Sequence, residues 1–177
     1  IDFILKPICP GGEFSLSHAE HFRQMYRLLN ADPNFTLSAF GEYTLATDNP
    51  QHNRKLGLLP RIHGKTTVGT IAYCMWELLR NPNQRILIIS EIWDNARAML
   101  KMIKDLYFEI NQTQNTDLAY IYQVMGDWVG SVWNEDQIVV KPRTLKSPNP
   151  SIATAGMERE VTSKHFSIII CDDLLGE

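Results

Sequence analysis

The stretch Ser167-Ile168-Ile169-Ile170-Cys171-Asp172-Asp173 decides how the chain is read. From Phe166 to Cys171, Ser167 apart, the residues are apolar continuously rather than alternately, the pattern of a strand covered on both faces of its sheet. The run passes straight into two carboxylates, which gives it the Walker B form. Ligands of open α/β sheets bind just beyond the C-terminal ends of such strands. Asp172 is placed there to hold Mg²⁺, directly or through water. Asp173, or Glu177 one turn further on, is placed to orient and deprotonate an attacking water, and Asp173 is favoured. The plainer reading is an acidic turn after a core strand.

A partner motif sits far upstream, in Leu58 to Thr67, LLPRIHGKTT. It ends as a phosphate-binding loop does, in Gly64-Lys65-Thr66, but the first glycine of G-x-x-x-x-G-K-[ST] is replaced by Leu59. Gly64 lets backbone approach a phosphate closely, and the following helix N-terminus offers unpaired amides and partial positive charge. Lys65 would reach the β- and γ-phosphates and the Thr66 hydroxyl would ligate Mg²⁺. Pro60, Arg61, Ile62, His63 and Thr67 complete the candidate nucleotide-contacting set. Arg61 lies where a guanidinium stabilises charge on a transferring phosphoryl group. Alone, Gly-Lys-Thr is a weak signal, equally a helix start with a solvated lysine. Paired with a Walker B strand, and itself between a strand and a helix, it points to a nucleotide site.

The chain between the motifs alternates as an α/β fold does. Residues 56–59 form a short apolar strand stopped by Pro60. Val68, Ile71, Ala72, Met75 and Leu79 mark one face of a helix that closes at Asn81-Pro82-Asn83. Residues 85–90 are a continuously apolar strand. A helix over 94–110 follows, with Ala96, Met99, Ile103, Leu106 and Ile110 on one side. Residues 111–135 are polar and aromatic, with Trp128 and Trp133. Strands follow at 137–140 and 151–155, split by a proline-rich loop. Upstream, residues 1–16 are irregular, Ser17 and Glu20 form a capping box, and a helix spans 18–30.

Bulk composition narrows the function. With 44% hydrophobic residues in 177, one ordinary core is within reach. A net charge of −3 gives no basic excess, so any nucleic-acid contact rests on a local patch. The three cysteines, Cys9, Cys74 and Cys171, follow no disulfide or zinc spacing and suit a reducing compartment. No apolar run approaches the roughly 18 residues of a membrane span, and no signal peptide is visible.

Taken together, these residues resemble large terminase subunits, the DNA-packaging ATPases of tailed bacteriophages and related viruses. LLPRIHGKTT resembles their Walker A loop, which lacks the first glycine and carries an arginine where Arg61 stands. ILIISEIWDNARAMLKMIKDL, residues 86–106, resembles the strand and helix after that loop. DWVGSVWNEDQIVV and PSIATAGMEREVTSKHFSIIICDDL resemble the run into Walker B: tryptophan, hairpin, glycine, histidine, double aspartate. The departures are Ile62, where glycine is usual, and Asp173, where many relatives of this ATPase class carry glutamate. The resemblance covers about residues 50–177 and leaves 1–49 as a lead-in segment.

The resemblance implies an ASCE-type P-loop NTPase with a mostly parallel central sheet flanked by helices. It implies ATP and Mg²⁺ as cofactors and ATP hydrolysis coupled to moving double-stranded DNA into a procapsid. It further implies a homo-oligomeric ring, usually a pentamer, working in the host cytoplasm on a portal protein with a small terminase subunit and no membrane. An arginine from a neighbouring subunit would complete each site, with Arg80, Arg85, Arg143 and Arg159 all open. In this class the strand between the P-loop strand and the Walker B strand comes later in sequence, and a nuclease domain follows. The expectation is therefore that these residues belong to a longer protein. Two other readings stand beside this one: another P-loop DNA translocase or helicase-like ATPase, and a non-hydrolysing nucleotide-binding assembly module.

Overall fold

The computed structural model describes residues 64–105, 126–158 and 164–174. The helix expected over 18–30, the strand over 56–59, Leu106 and Ile110 lie outside the described residues.

The first described helix opens at Gly64, whose φ of 65° is in the left-handed region that glycine enters without a Cβ penalty. The Gly64 carbonyl accepts the Val68 N–H at 2.9 Å. The chain then makes a π-helical turn, Thr67–Ala72, before regular α-helix α1, Tyr73–Arg80. The sequence explains the loose turn. Thr67, Val68, Thr70 and Ile71 are β-branched and surround Gly69, so neither side-chain rotamers nor backbone entropy favour a tight α-turn. Helix α1 ends at Asn81, extended at φ −149°, because Pro82 disfavours helical backbone before it.

Strand β1 is Ile86–Ser90. Helix α2, Trp93–Ile103, enters from Ile92 in extended backbone, with Asp94 in its first turn and Lys101 in its last, both favourable to the helix dipole. It buries Ala96, Met99 and Ile103, as the helical spacing predicts, and Leu100 as well. Strands β2, Val129–Trp133, and β3, Gln137–Val140, form a hairpin. Strands β4, Ile152–Gly156, and β5, Ile168–Cys171, complete the sheet.

The strand order is β2-β3-β4-β1-β5. β1 is parallel to both neighbours, β4 and β5, while β2–β3 and β3–β4 are antiparallel. The described sheet is thus mixed, where a mostly parallel one was expected. The departure comes from the hairpin. A short turn at 134–136 reverses the chain, and only parallel pairs need a long crossover. The class is α/β all the same.

Both helices cover one face. Val68, Ile71, Met75, Leu78, Ala96, Leu100 and Ile103 pack on Ile86, Ile88, Ile138, Val140 and Ile152, all buried. The other face of the central strands holds a smaller cluster of Leu87, Ala153 and Ala155, with Ile89 and Phe166 against it. β1 and β4 are therefore buried on both faces, as continuous apolarity requires. β5 is different: Ile168 and Ile170 pack into the main core, but Ile169 is 59% exposed. No described helix is long and apolar enough to cross a membrane.

Candidate functional site

The parallel pairing of β1 and β5 puts their C-terminal ends on one edge of the sheet, and the two sequence motifs meet there. The β-ladder runs on past Cys171, since the Asp172 N–H donates to the Ile89 carbonyl at 2.9 Å. Asp173 then takes φ 54°, a left-handed conformation that aspartate tolerates better than most residues. That turn aims its carbonyl at the Glu91 N–H, 3.2 Å away, and ties together the exits of both strands.

Alternation along β5 sends Asp172 to the face of Ile168 and Ile170, beneath the helix that begins at Lys65. Asp172 is only 5% exposed, and its Oδ2 accepts a hydrogen bond from Thr70 Oγ1 at 2.8 Å. A buried carboxylate is costly without such a donor. Asp173 points outward instead, with its Oδ1 4.0 Å from Lys65 Nζ. Both partners of this pair are more than a third exposed, at 39% and 66%, so it contributes at most about 1 kcal/mol. A phosphate, which forms stronger charge-assisted bonds, can readily take Lys65 from it.

The structure therefore brings Lys65 of the first motif to Asp173 of the second, and the helix carrying Thr66 and Thr67 to Asp172. Thr66 makes no side-chain capping bond, and it lies one turn before Thr70. Pro60, Arg61, Ile62, His63 and Glu177 lie outside the described residues. Sequence reasoning missed Thr70. Its signal was its position four residues after Thr66, which places the two hydroxyls on neighbouring turns of one helix face.

The arginines sort by edge. Arg85 precedes β1 and Arg143 follows β3, so both sit at the opposite end of the strands from Asp172, about 16 Å away along a five-residue strand. Arg143 Nη1 donates to the Asn149 carbonyl at 2.6 Å, and burial together with the Arg85 charge lowers its pKa. Neither arginine reaches the Lys65–Asp172 edge of its own chain. Arg80 ends α1, where it donates to the buried Glu77 carboxylate at 3.2 Å. Arg159 lies outside the described residues.

The donor set suits Mg²⁺. That ion prefers hard oxygen ligands and uses one or two carboxylates beside substrate phosphates and water. Asp172 and the Thr66 hydroxyl are such donors, and among the described residues no group of three or more His, Cys, Asp or Glu forms the all-protein cage of a resident metal.

Compared with protein-family models, curated proteins and solved structures, the chain matches none.

Proposed function

We propose that the protein is a P-loop ATPase of the terminase type, hydrolysing ATP to drive double-stranded DNA into a viral procapsid as a homo-oligomeric ring on a portal. The observation that carries the nucleotide site is the meeting of Lys65 with Asp173, and of the same helix with buried Asp172, at the C-terminal ends of β1 and β5. The packaging role rests on the resemblance of residues 50–177 to large terminase subunits.

In this reading Gly64 gives the polyphosphate close access to the helix N-terminus, and Lys65 exchanges its weak pair with Asp173 for the β- and γ-phosphate oxygens. Freed of Lys65, Asp173 accepts a proton from the attacking water, or Glu177 does so in its place. The water oxygen bonds to the γ-phosphorus as the bond to the β–γ bridging oxygen breaks, giving ADP and inorganic phosphate. Asp172 and Thr66 would hold Mg²⁺, which would neutralise charge on the phosphates.

Phosphate release from ATP tests the reading. Lys65→Ala is expected to lower the rate by at least about a hundredfold, the scale of losing a preorganised charge at the transferring group. Equal rates in the two proteins would defeat it and leave the non-hydrolysing module. Asp172→Ala should abolish the Mg²⁺ dependence of hydrolysis. Asp173→Asn keeps the left-handed backbone and removes only the charge, so a full rate in that variant transfers the base to Glu177. Stimulation by double-stranded DNA is expected, and its absence would count against a packaging motor.

A further inference from the structure

Beneath the helix that starts at Lys65 lies a small buried polar cluster that the two motifs do not account for. Thr70 is 2% exposed and donates its hydroxyl to Asp172 Oδ2 at 2.8 Å. Ser90 ends β1 on the face of Ile86 and Ile88, one residue beyond the Ile89↔Cys171 register pair, and so stands beside Asp172. Ser90 is fully buried and its Oγ has no hydrogen-bond partner. Two hydroxyls thus flank one carboxylate, and only one of them is bonded to it.

We propose that Thr70 is a positioning residue for Asp172, holding Oδ2 so that Oδ1 is left to face Mg²⁺ or one of its waters. The inference rests on the ATPase reading above and adds a residue outside both motifs. A carboxylate on a strand end can rotate about its side-chain bonds. A single short bond from a helix turn locks that rotation and sets which oxygen a metal meets, and loss of such an outer partner typically costs ten- to a hundredfold in metal affinity. The loose π-helical turn of Thr67–Ala72 carries Thr70 and lies between the phosphate-contacting residues and the regular helix. The hydroxyl proposed to fix the metal ligand therefore sits one turn beyond Lys65 and Thr66 on the same helix.

The test is binding rather than turnover. A fluorescent non-hydrolysable ATP analogue is titrated into the purified protein with increasing Mg²⁺ and, separately, with EDTA. Thr70→Val keeps shape and removes the donor. It is expected to raise the Mg²⁺ midpoint about tenfold while leaving affinity in EDTA unchanged. Thr70→Ser, which restores the hydroxyl, should return the midpoint to within about twofold of wild type. Ser90→Ala removes a hydroxyl from the same pocket without breaking a bond and should not move it. If Thr70→Val fails to fold by circular dichroism, Thr70→Ala gives the same reading with better helix propensity. An unchanged Mg²⁺ midpoint in a folded Thr70 variant overturns the inference while leaving the ATPase reading intact. So does an equal rise in Ser90→Ala, because the effect then belongs to the pocket and not to the bond. Lys65→Ala separates the two claims: if it binds the analogue as wild type does, the nucleotide site itself falls and Thr70 with it.

Discussion

At the scale of single residues, two backbone positions and one ionisable cluster set testable limits. Gly64 holds φ 65°, and an alanine forced there meets its own carbonyl, at a cost of about 1–2 kcal/mol. Gly64→Ala should therefore lower stability by about that amount in urea unfolding and weaken analogue binding as well. Stability loss without any binding loss would separate the turn from the phosphate. Asp173 is also left-handed, and under the proposed ATPase reading the need for its carboxylate would account for a strained position beside the site. Away from the site, Tyr73 on α1 has its pKa raised to about 12, first by burial and then by the neighbouring Glu77 carboxylate. Burial pushes the Cys74 thiol up as well. Both are acids whose neutral forms the folded state prefers, so the stability they contribute is whole below their unfolded values, 9.0 for the cysteine and 10.0 for the tyrosine, and is lost as pH rises, for Tyr73 through about 12. Thermal melts across pH 8–12 should fall steeply over that window, and Tyr73→Phe should flatten the fall. A wild-type slope in that variant would assign the loss elsewhere.

Elements were legible to very different degrees. β1 and β3 stood out because their apolar runs are short and bounded by turn residues, and α2 because its apolar residues keep helical spacing. The π-helical turn was not legible. A β-branched run shows weak helix propensity but does not say which helix forms, and the choice lies in packing over β1. β2 was missed because Val129–Trp133 is half exposed and mixes Gly130 and Ser131 with large residues. The crossing of α2 over β4 was equally hidden, since it depends on the absence of a side chain. A Cβ at Gly156 would lie 3.1 Å from both Cβ and backbone N of Trp93, so the helix starts where it does only because β4 ends in glycine. Trp93 is also held to the same face of β4 by Nε1 donating to Thr154 Oγ1 at 3.2 Å. Gly156→Ala should push the first turn of α2 off the sheet and cost about 1–3 kcal/mol. Thr154→Val removes both the acceptor of the Trp93 bond and the hydroxyl's own donation to the Asp136 carbonyl at 3.1 Å, so it should cost about 1–3 kcal/mol. Urea unfolding of both variants checks these losses, and a neutral Gly156→Ala would show that α2 is not seated by this contact.

Over the whole molecule, composition and alternation reached the α/β class but not the strand order. Apolar runs report burial and say nothing of neighbours, so nothing local placed β1 between β4 and β5, and the hairpin was carried by the resemblance alone, without its antiparallel pairing onto β4. The candidate site was legible as two motifs because phosphate and metal chemistry demand particular residue types. Its geometry was not, because Thr70 reaches Asp172 across 102 positions of sequence. Burial also separates residues that the sequence makes identical. Ile88 and Ile169 are both strand isoleucines flanked by aliphatic residues, yet Ile88 is fully buried in the main core while Ile169 is 59% exposed. Truncating Ile88 removes apolar contacts and leaves a cavity, so Ile88→Ala should cost about 2–5 kcal/mol. Ile169→Ala removes side-chain atoms that already meet solvent over most of their surface, so its loss should stay within about 1 kcal/mol. Chemical denaturation of the two variants under one set of conditions decides the matter. A clear gap supports a sheet whose β5 is packed on one face only. Equal losses would mean that Ile169 is covered in the folded protein, and the outer face of β5 would then carry as much of the core as the helix-covered side.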